Sequence, residues 1–339
     1  MAMSYGKNRP RPRQRPRPSQ LKGVVTPERE KYHAEILSNS LKKNYRHFSR
    51  RYRKADIECF RLYDWDTPEI RVIVDWYAGH LVVAEYERLQ TGPEYLPKMA
   101  EAAALALNVP MENVHIRKRH TNVEEGPRYS KLASKDQRIE VREGELKFLV
   151  NLTDFLDTGL FSDHRMTRNI VRKMVEGKRF LNLFAYTGAF TCAAALGKAH
   201  STVTVDRSRT YVDWTRDNLA LNGLWGPEHE LVQSDVMRYL EKTAEEGKKF
   251  DLVFVDPPSF FKEESTGRDF DINRDHPELI EKVLEIMRPG GDVLFSTNHQ
   301  RFSPRFEGLN VKEIIQLTPK TIPEDYRNRD IHHSWHIKT

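Results

Sequence analysis

Apolar and polar positions follow two different rhythms along this chain of 339 residues. In the first part, Thr26-Pro27-Glu28 reads as an N-cap with proline at N1, and it opens a helical pattern running to about Asn44. Asp56–Tyr63, Ile70–Trp76 and Leu81–Tyr86 are rich in Val, Ile and aromatics and read as strands, with Ala78-Gly79 as a turn. Pro93–Leu107 is an alanine-rich helix and Val114–Arg117 a further strand. Arg138–Val141 and Leu146–Leu149, joined across Glu143-Gly144, read as a hairpin. The pattern predicts a small α+β domain over residues 26–150.

Over residues 151–339 strand and helix alternate. Phe180–Ala185, Thr202–Val205, Glu230–Val232, Phe250–Val255, Asp292–Ser296, Glu313–Leu317 and Trp335–Ile337 read as strands. Between them lie helices over Gly188–Leu196, Tyr211–Asn222, the stretch up to Glu246, and about Pro277–Met287. About seven strands in this order predict an α/β, Rossmann-like, doubly wound parallel sheet with helices on both faces. Ligands of such sheets bind at the carboxyl ends of the strands, where the strand order switches.

Charge changes this picture only at one end. Residues 1–27 hold Lys7, Arg9, Arg11, Arg13, Arg15, Arg17 and Lys22 and no Asp or Glu, leaving 48 basic against 49 acidic residues in the rest. In the run RPRPRQRPRPSQ proline blocks helix and like charges repel, so residues 1–25 are expected as an extended, disordered tail. It reads either as a phosphate-binding arm or as a solubilising appendage. No apolar run is long enough to cross a bilayer, and none near the N-terminus has the form of a signal peptide. Two cysteines, Cys59 and Cys192, make neither a disulfide framework nor a zinc site, so a cytoplasmic setting is expected.

Four strand ends carry candidate chemistry. Asn182 to Thr191 runs from a strand through a turn into a helix with a single glycine, Gly188, where dinucleotide folds place three. One glycine suits a nucleoside without a phosphate. Asp206 closes the second strand and reads either as an acceptor for both ribose hydroxyls or as a helix cap. Asp235, followed by Val236, closes the next, as an adenine contact or again a cap. Asp256-Pro257-Pro258-Ser259-Phe260 is a rigid turn that leaves a carboxylate and an aromatic ring facing a planar base, unless it serves only to end a strand.

These motifs in this order resemble class I methyltransferases that modify RNA bases. Leu146–Leu152, Asp157–Arg165, Lys320–Arg329 and Ile331–Trp335 resemble, more specifically, the K half of the bacterial K/L family of large-subunit rRNA methyltransferases. The resemblance covers roughly residues 26–339, with the K-like half standing without the L half. It implies S-adenosylmethionine as cofactor and 23S rRNA, or a large-subunit precursor, as partner, with the small domain of residues 26–150 expected to contact the RNA and a separate L-type methyltransferase as a further candidate partner. It implies that Asp163 and Arg165 hold the methionine end, that Phe184, Tyr186, Thr187 and Gly188 wrap the cofactor, and that Asp206 takes the ribose. Asp235 and Val236 would take the adenine, while Asp256, Pro257 and Phe260 frame the target base.

Absences narrow the chemistry. Methylating a pyrimidine C5 needs a cysteine nucleophile. Here the fifth strand runs into Ser296-Thr297-Asn298-His299, no Cys lies beyond Cys192, and Cys192 reads as a packed core thiol. Guanine N7 presents a lone pair and needs positioning but no base, so N7-methylguanosine is the expected product, at a rate nearly flat with pH near neutrality. Adenine N6, or another RNA base, is the closest enzymatic alternative, and Ser259 departs from its pattern. A non-catalytic RNA-binding module is the alternative of a different class. The histidines, including His332 and His333, show no metal-ligand spacing, and no metal is expected.

Overall fold

The computed structural model describes residues 24–86, 88–119, 137–261 and 269–339; the basic tail of residues 1–23 lies outside them. Helix α1 (Pro27–Arg53) starts as its sequence dictates, with the Thr26 hydroxyl accepting from the Arg29 N–H and Pro27 at N1. It runs on past Asn44 because Tyr45, Phe48 and Tyr52 continue its apolar stripe, packing on Trp76 and Phe60. Strands β1 (Cys59–Asp64), β2 (Val72–Tyr77) and β3 (His80–Tyr86) form an antiparallel meander; β4 (Val114–Arg119) joins β3 in parallel. Helix α2 (Tyr95–Leu107) makes the crossover that a parallel pair requires. Its alanines let it lie close to α1, with Leu37, Leu41, Val72, Val74, Met99 and Ala103 in the core between helices and sheet.

Strands β5 (Arg138–Glu143) and β6 (Leu146–Asn151) form the expected hairpin. It is a wedge, not an ornament of the first unit. Val141, Phe148 and Val150 share one core with Cys59, Tyr77 and Val82 on one side and with Cys192, Ala193 and Leu219 on the other.

The second unit holds α3 (Arg165–Met174), β7 (Arg179–Leu183), α4 (Ala189–Leu196), β8 (Ser201–Asp206), α5 (Arg209–Leu221), β9 (His229–Gln233) and α6 (Val236–Glu245). It continues through β10 (Phe250–Val255), β11 (Phe260–Phe261), β12 (Phe270–Asp271), α7 (Ile272–Glu285), β13 (Met287–Thr297), β14 (Glu313–Gln316), α8 (Thr318–Thr321) and β15 (His333–Lys338). The sheet order is β14-β15-β13-β10-β7-β8-β9. The chain therefore switches direction between β7 and β10, which opens a crevice at their carboxyl ends. The sheet is mixed rather than all parallel, because β15 runs antiparallel between β13 and β14.

Helix α7 begins earlier than the proline suggested. Asp271 caps it, accepting from the N–H groups of Asn273 and Arg274, and Pro277 lies inside. The Asn273 carbonyl, which Pro277 cannot bond, accepts instead from the Arg305 guanidinium at 2.9 Å.

A buried carboxylate ties the two units together beside their shared core. Asp325 Oδ1 accepts from the Tyr52 hydroxyl at 2.7 Å and from Arg165 Nη2 at 3.0 Å, while Oδ2 accepts from the Arg61 N–H at 2.9 Å. The Asp325 side chain is 0% exposed and that of Arg165 4%. Replacing Asp325 by Ala strands the Arg165 charge, and an uncompensated buried ion costs about 3–5 kcal/mol. The urea midpoint of Asp325→Ala should fall accordingly, and a loss below about 1 kcal/mol would show that the pair is not the junction's anchor.

Candidate active site

The turn after β7 is held in an unusual backbone shape. Phe184, Tyr186 and Gly188 have φ of 55°, 52° and 74°, a left-handed region that non-glycine residues enter only when their surroundings compel them. The compulsion is visible. Asp206 Oδ2 accepts from the Tyr186 N–H at 2.9 Å, the Thr187 hydroxyl donates to the Gly159 carbonyl, and the Thr187 carbonyl accepts from Asn218 at 2.9 Å. A Cβ on Gly188 would meet Thr215 of α5 at 2.2 Å, so the glycine is required twice, by its φ and by the helix behind it.

Two acids stand where the next strands end. Asp206 also accepts from the Ser208 N–H at 2.8 Å, and burial pushes its carboxyl up to about 6 against those two hydrogen bonds. Each of its oxygens keeps a second lone pair. Asp235 is the N-cap of α6, its Oδ1 accepting from the Arg238 N–H at 3.0 Å, and Val236 is buried as the first helical residue. The capping reading of Asp235 is thus present, with Oδ2 unused among the described residues. The glycine turn, the two strand-end acids and the start of α4 follow β7, β8 and β9, at the strand ends where a sheet of this order takes its ligand.

Beyond β10, Asp256 and the two prolines turn over the sheet. The Ser259 hydroxyl donates to Asn298 Oδ1 at 2.8 Å, tying this turn to the end of β13. Phe260 is 40% exposed, whereas Phe261 stacks on Phe270 at 4.8 Å. Phe184 lies 6.3 Å from Phe261, so the cofactor turn and the Asp-Pro-Pro turn share an aromatic wall.

Behind Asp256 lies a cluster that sequence reasoning missed. His164 Nε2 is 3.5 Å from Asp256 Oδ2 and 3.8 Å from Asp163 Oδ2. His332 Nδ1 bonds Asp163 at 2.9 Å, and its Nε2 bonds Thr321 at 3.0 Å. The two imidazoles stack with centroids 4.2 Å apart. Burial, reinforced by His332, pushes His164 down to about 3, so this ring is neutral at physiological pH. Thr167 faces its Nδ1 at 3.4 Å, an arrangement that leaves Nε2–H to donate toward the carboxylates. Burial opposes ionisation of Asp163, but His164 and the His332 hydrogen bond outweigh it and hold that carboxyl low. Burial, with Asp163 adding to it, pushes Asp256 up to about 7. The signal available in the sequence was that both histidines sit inside motifs already quoted, Asp163-His164-Arg165 and Ile331-His332-His333.

Asp163, His164 and His332 bring potential metal ligands within 4.8 Å of one another. Parallel rings aim their nitrogens side by side, and both His332 nitrogens are already bonded, which describes a hydrogen-bonded cluster better than a coordination sphere. The structure places Arg165 at the junction of the two units, bonded to Asp325 and stacked on the Tyr52 ring at 4.9 Å. Cys192 is buried and burial pushes its thiol up to about 12, which removes it as a nucleophile.

A seven-stranded sheet in this order, with an acid-ended second strand beside a single-glycine turn, defines a class I methyltransferase. The chain belongs to the S-adenosylmethionine-dependent methyltransferase family, whose model matches residues 64–318. It is 44% identical over 310 residues to the ribosomal RNA large subunit methyltransferase K/L of Syntrophotalea carbinolica. It is 41% identical over 330 residues to the protein of that name in Allochromatium vinosum. These alignments take in 90% and 94% of this chain but 43% and 44% of those proteins, so the chain spans less than half the length of the curated relatives it matches. The fold is shared with a methyltransferase solved in complex with SAH, at a TM-score of 0.72 and 22% identity over 90% of this chain and 82% of that one. A SAM-dependent methyltransferase of Streptococcus mutans gives 0.71 at 22% identity over 90% and 81%.

The raised Asp256 carboxyl has a signature in stability. A group whose folded value lies above its unfolded one stabilises fully below the unfolded value, and loses that contribution as pH climbs from about 4 to about 7. Asp256→Asn carries no such loss. Its stability advantage over the wild type should grow by about 1–3 kcal/mol between pH 5 and pH 8 in paired denaturant titrations. A constant difference would refute the burial effect.

Proposed function

We propose that this chain transfers the methyl group of S-adenosylmethionine to guanine N7 in 23S rRNA, alone or within an assembling large subunit. The observation that carries the reading is Asp256, three-quarters covered and backed by the neutral His164, beside the exposed Phe260 ring and the cofactor turn. The rRNA named in its relatives supports the substrate class.

S-adenosylmethionine, when bound, supplies a sulfonium methyl open to attack by a lone pair. Asp206 would accept the two ribose hydroxyls, while Asp235 and the Val236 N–H would meet the adenine edge. Asp163, held ionised, would face the methionine ammonium. Phe184, Tyr186, Thr187 and Gly188 would close the turn around them. The base would stack on Phe260 over the rigid Pro257 turn. Ionised Asp256 would accept from guanine N1–H or the amino group, with His164 Nε2–H steadying the carboxylate. Because guanine N7 offers a lone pair and loses no proton, Asp256 would orient the base and not abstract from it.

A flat pH profile does not follow once Asp256 titrates at about 7. The single-turnover rate should rise with pH through about 7 and level off above it. Aniline treatment of borohydride-reduced product rRNA should then break the chain at the methylated guanine. A product that resists cleavage and digests to N6-methyladenosine would replace guanine by adenine as the target.

The ribose assignment is tested separately. Asp206→Ala removes an acceptor serving two hydroxyls and should weaken S-adenosylhomocysteine binding by about 1–3 kcal/mol. Unaltered calorimetric affinity would exclude the contact.

A further inference from the structure

Helix α1 does more than cover its sheet. Along its second half Lys42, Arg46, Arg50 and Arg53 recur at four-, four- and three-residue steps, which places them on one face. With Lys54, Tyr45 and the end of α2 at Ala106–Asn108 they line a groove of about 710 Å³. No acid lines it. All five cations are exposed, and none forms an ion pair with a described residue, whereas Arg51 on the neighbouring face is paired with Glu324 at 2.6 Å. Composition does not explain the concentration, because basic and acidic residues nearly balance outside the N-terminal tail.

From Lys42 to Lys54 the helix rises about 18 Å, enough for several consecutive phosphates. On the buried side of the same stretch of helix Tyr52 bonds Asp325, and the adjacent Tyr326 hydroxyl bonds Ser162 at 2.7 Å, next to Asp163 and His164 behind Asp256, so α1 is held firmly to the unit that carries Asp256. An unneutralised row of Lys and Arg with one half-buried Tyr is poor in the apolar anchors of a protein interface and rich in what a phosphate chain needs.

We infer that this face of α1 is the docking surface for the sugar-phosphate backbone of the RNA substrate. The inference rests on the proposal that the substrate is RNA. Binding here is made equally in ground and transition state, so its loss raises KM and spares kcat.

The test uses the full chain with an unmethylated 23S rRNA transcript, comparing Lys42→Gln/Arg46→Gln/Arg50→Gln with a control triple, Lys242→Gln/Lys248→Gln/Lys312→Gln, on the catalytic unit. Loss of three phosphate contacts should lower the slope of log affinity against log salt by about 2. KM should rise at least tenfold with kcat and S-adenosylhomocysteine affinity unchanged, and the control should alter none of these. Equal losses in both triples overturn the inference. So do an unchanged slope and KM in the α1 triple, which would give the face to an acidic protein or an anionic membrane while leaving the proposed reaction standing. A wild-type chain that neither binds nor methylates the transcript or an unmethylated large-subunit precursor sinks the substrate reading, and the groove with it.

Discussion

A carboxylate with no exposed surface must find its compensation inside the protein, and Asp325 finds it in three places at once: the Tyr52 hydroxyl, the Arg61 N–H and the Arg165 guanidinium. Those donors come from α1, β1 and α3, so the requirement fixes the first unit against the second. The same loop seats Tyr326, whose ring lies under Arg61 at 4.4 Å and whose hydroxyl meets Ser162. Asn328 adds a bond from its N–H to Asp64 at 2.9 Å. Ser162 leads into Asp163 and His164, and the position of Asp256 is therefore tied through His164 to the junction of Arg165 and Asp325.

Within that frame two acids of the same type are driven apart. Asp163 is held low by donors on its imidazole side, and Asp256 is driven up by burial. His164 stands between them as a neutral ring. Acids separated in this way by their surroundings can take different roles within one small volume, one as fixed charge and the other as a group whose charge depends on conditions.

Much of this was legible in the chain, for identifiable reasons. Phe250–Val255 was placed to the residue because a buried parallel strand reads as an unbroken apolar run with sharp polar ends. Gly188 and the strand-end acids were legible because each obeys a local rule of turn or cap. What failed was non-local. The Arg165 bond to Asp325 could not be read because its partner lies 160 residues away. His164 and His332 were passed over because only the fold stacks them. The start of α7 was missed because Pro277 looks like a beginning, and only Arg305, from a later loop, makes it tolerable inside a helix. The antiparallel β15 follows from a long return loop that carries no periodicity of its own.

The wedge formed by β5 and β6 has a consequence for how the molecule comes apart. Each unit keeps a core of its own, but Phe148 and Val150 lie in a further apolar cluster with Cys59 of the first sheet and Cys192 of α4. Loosening the hairpin exposes walls of both at once. Such shared walls couple the melting of one unit to that of the other although the architecture divides readily into two.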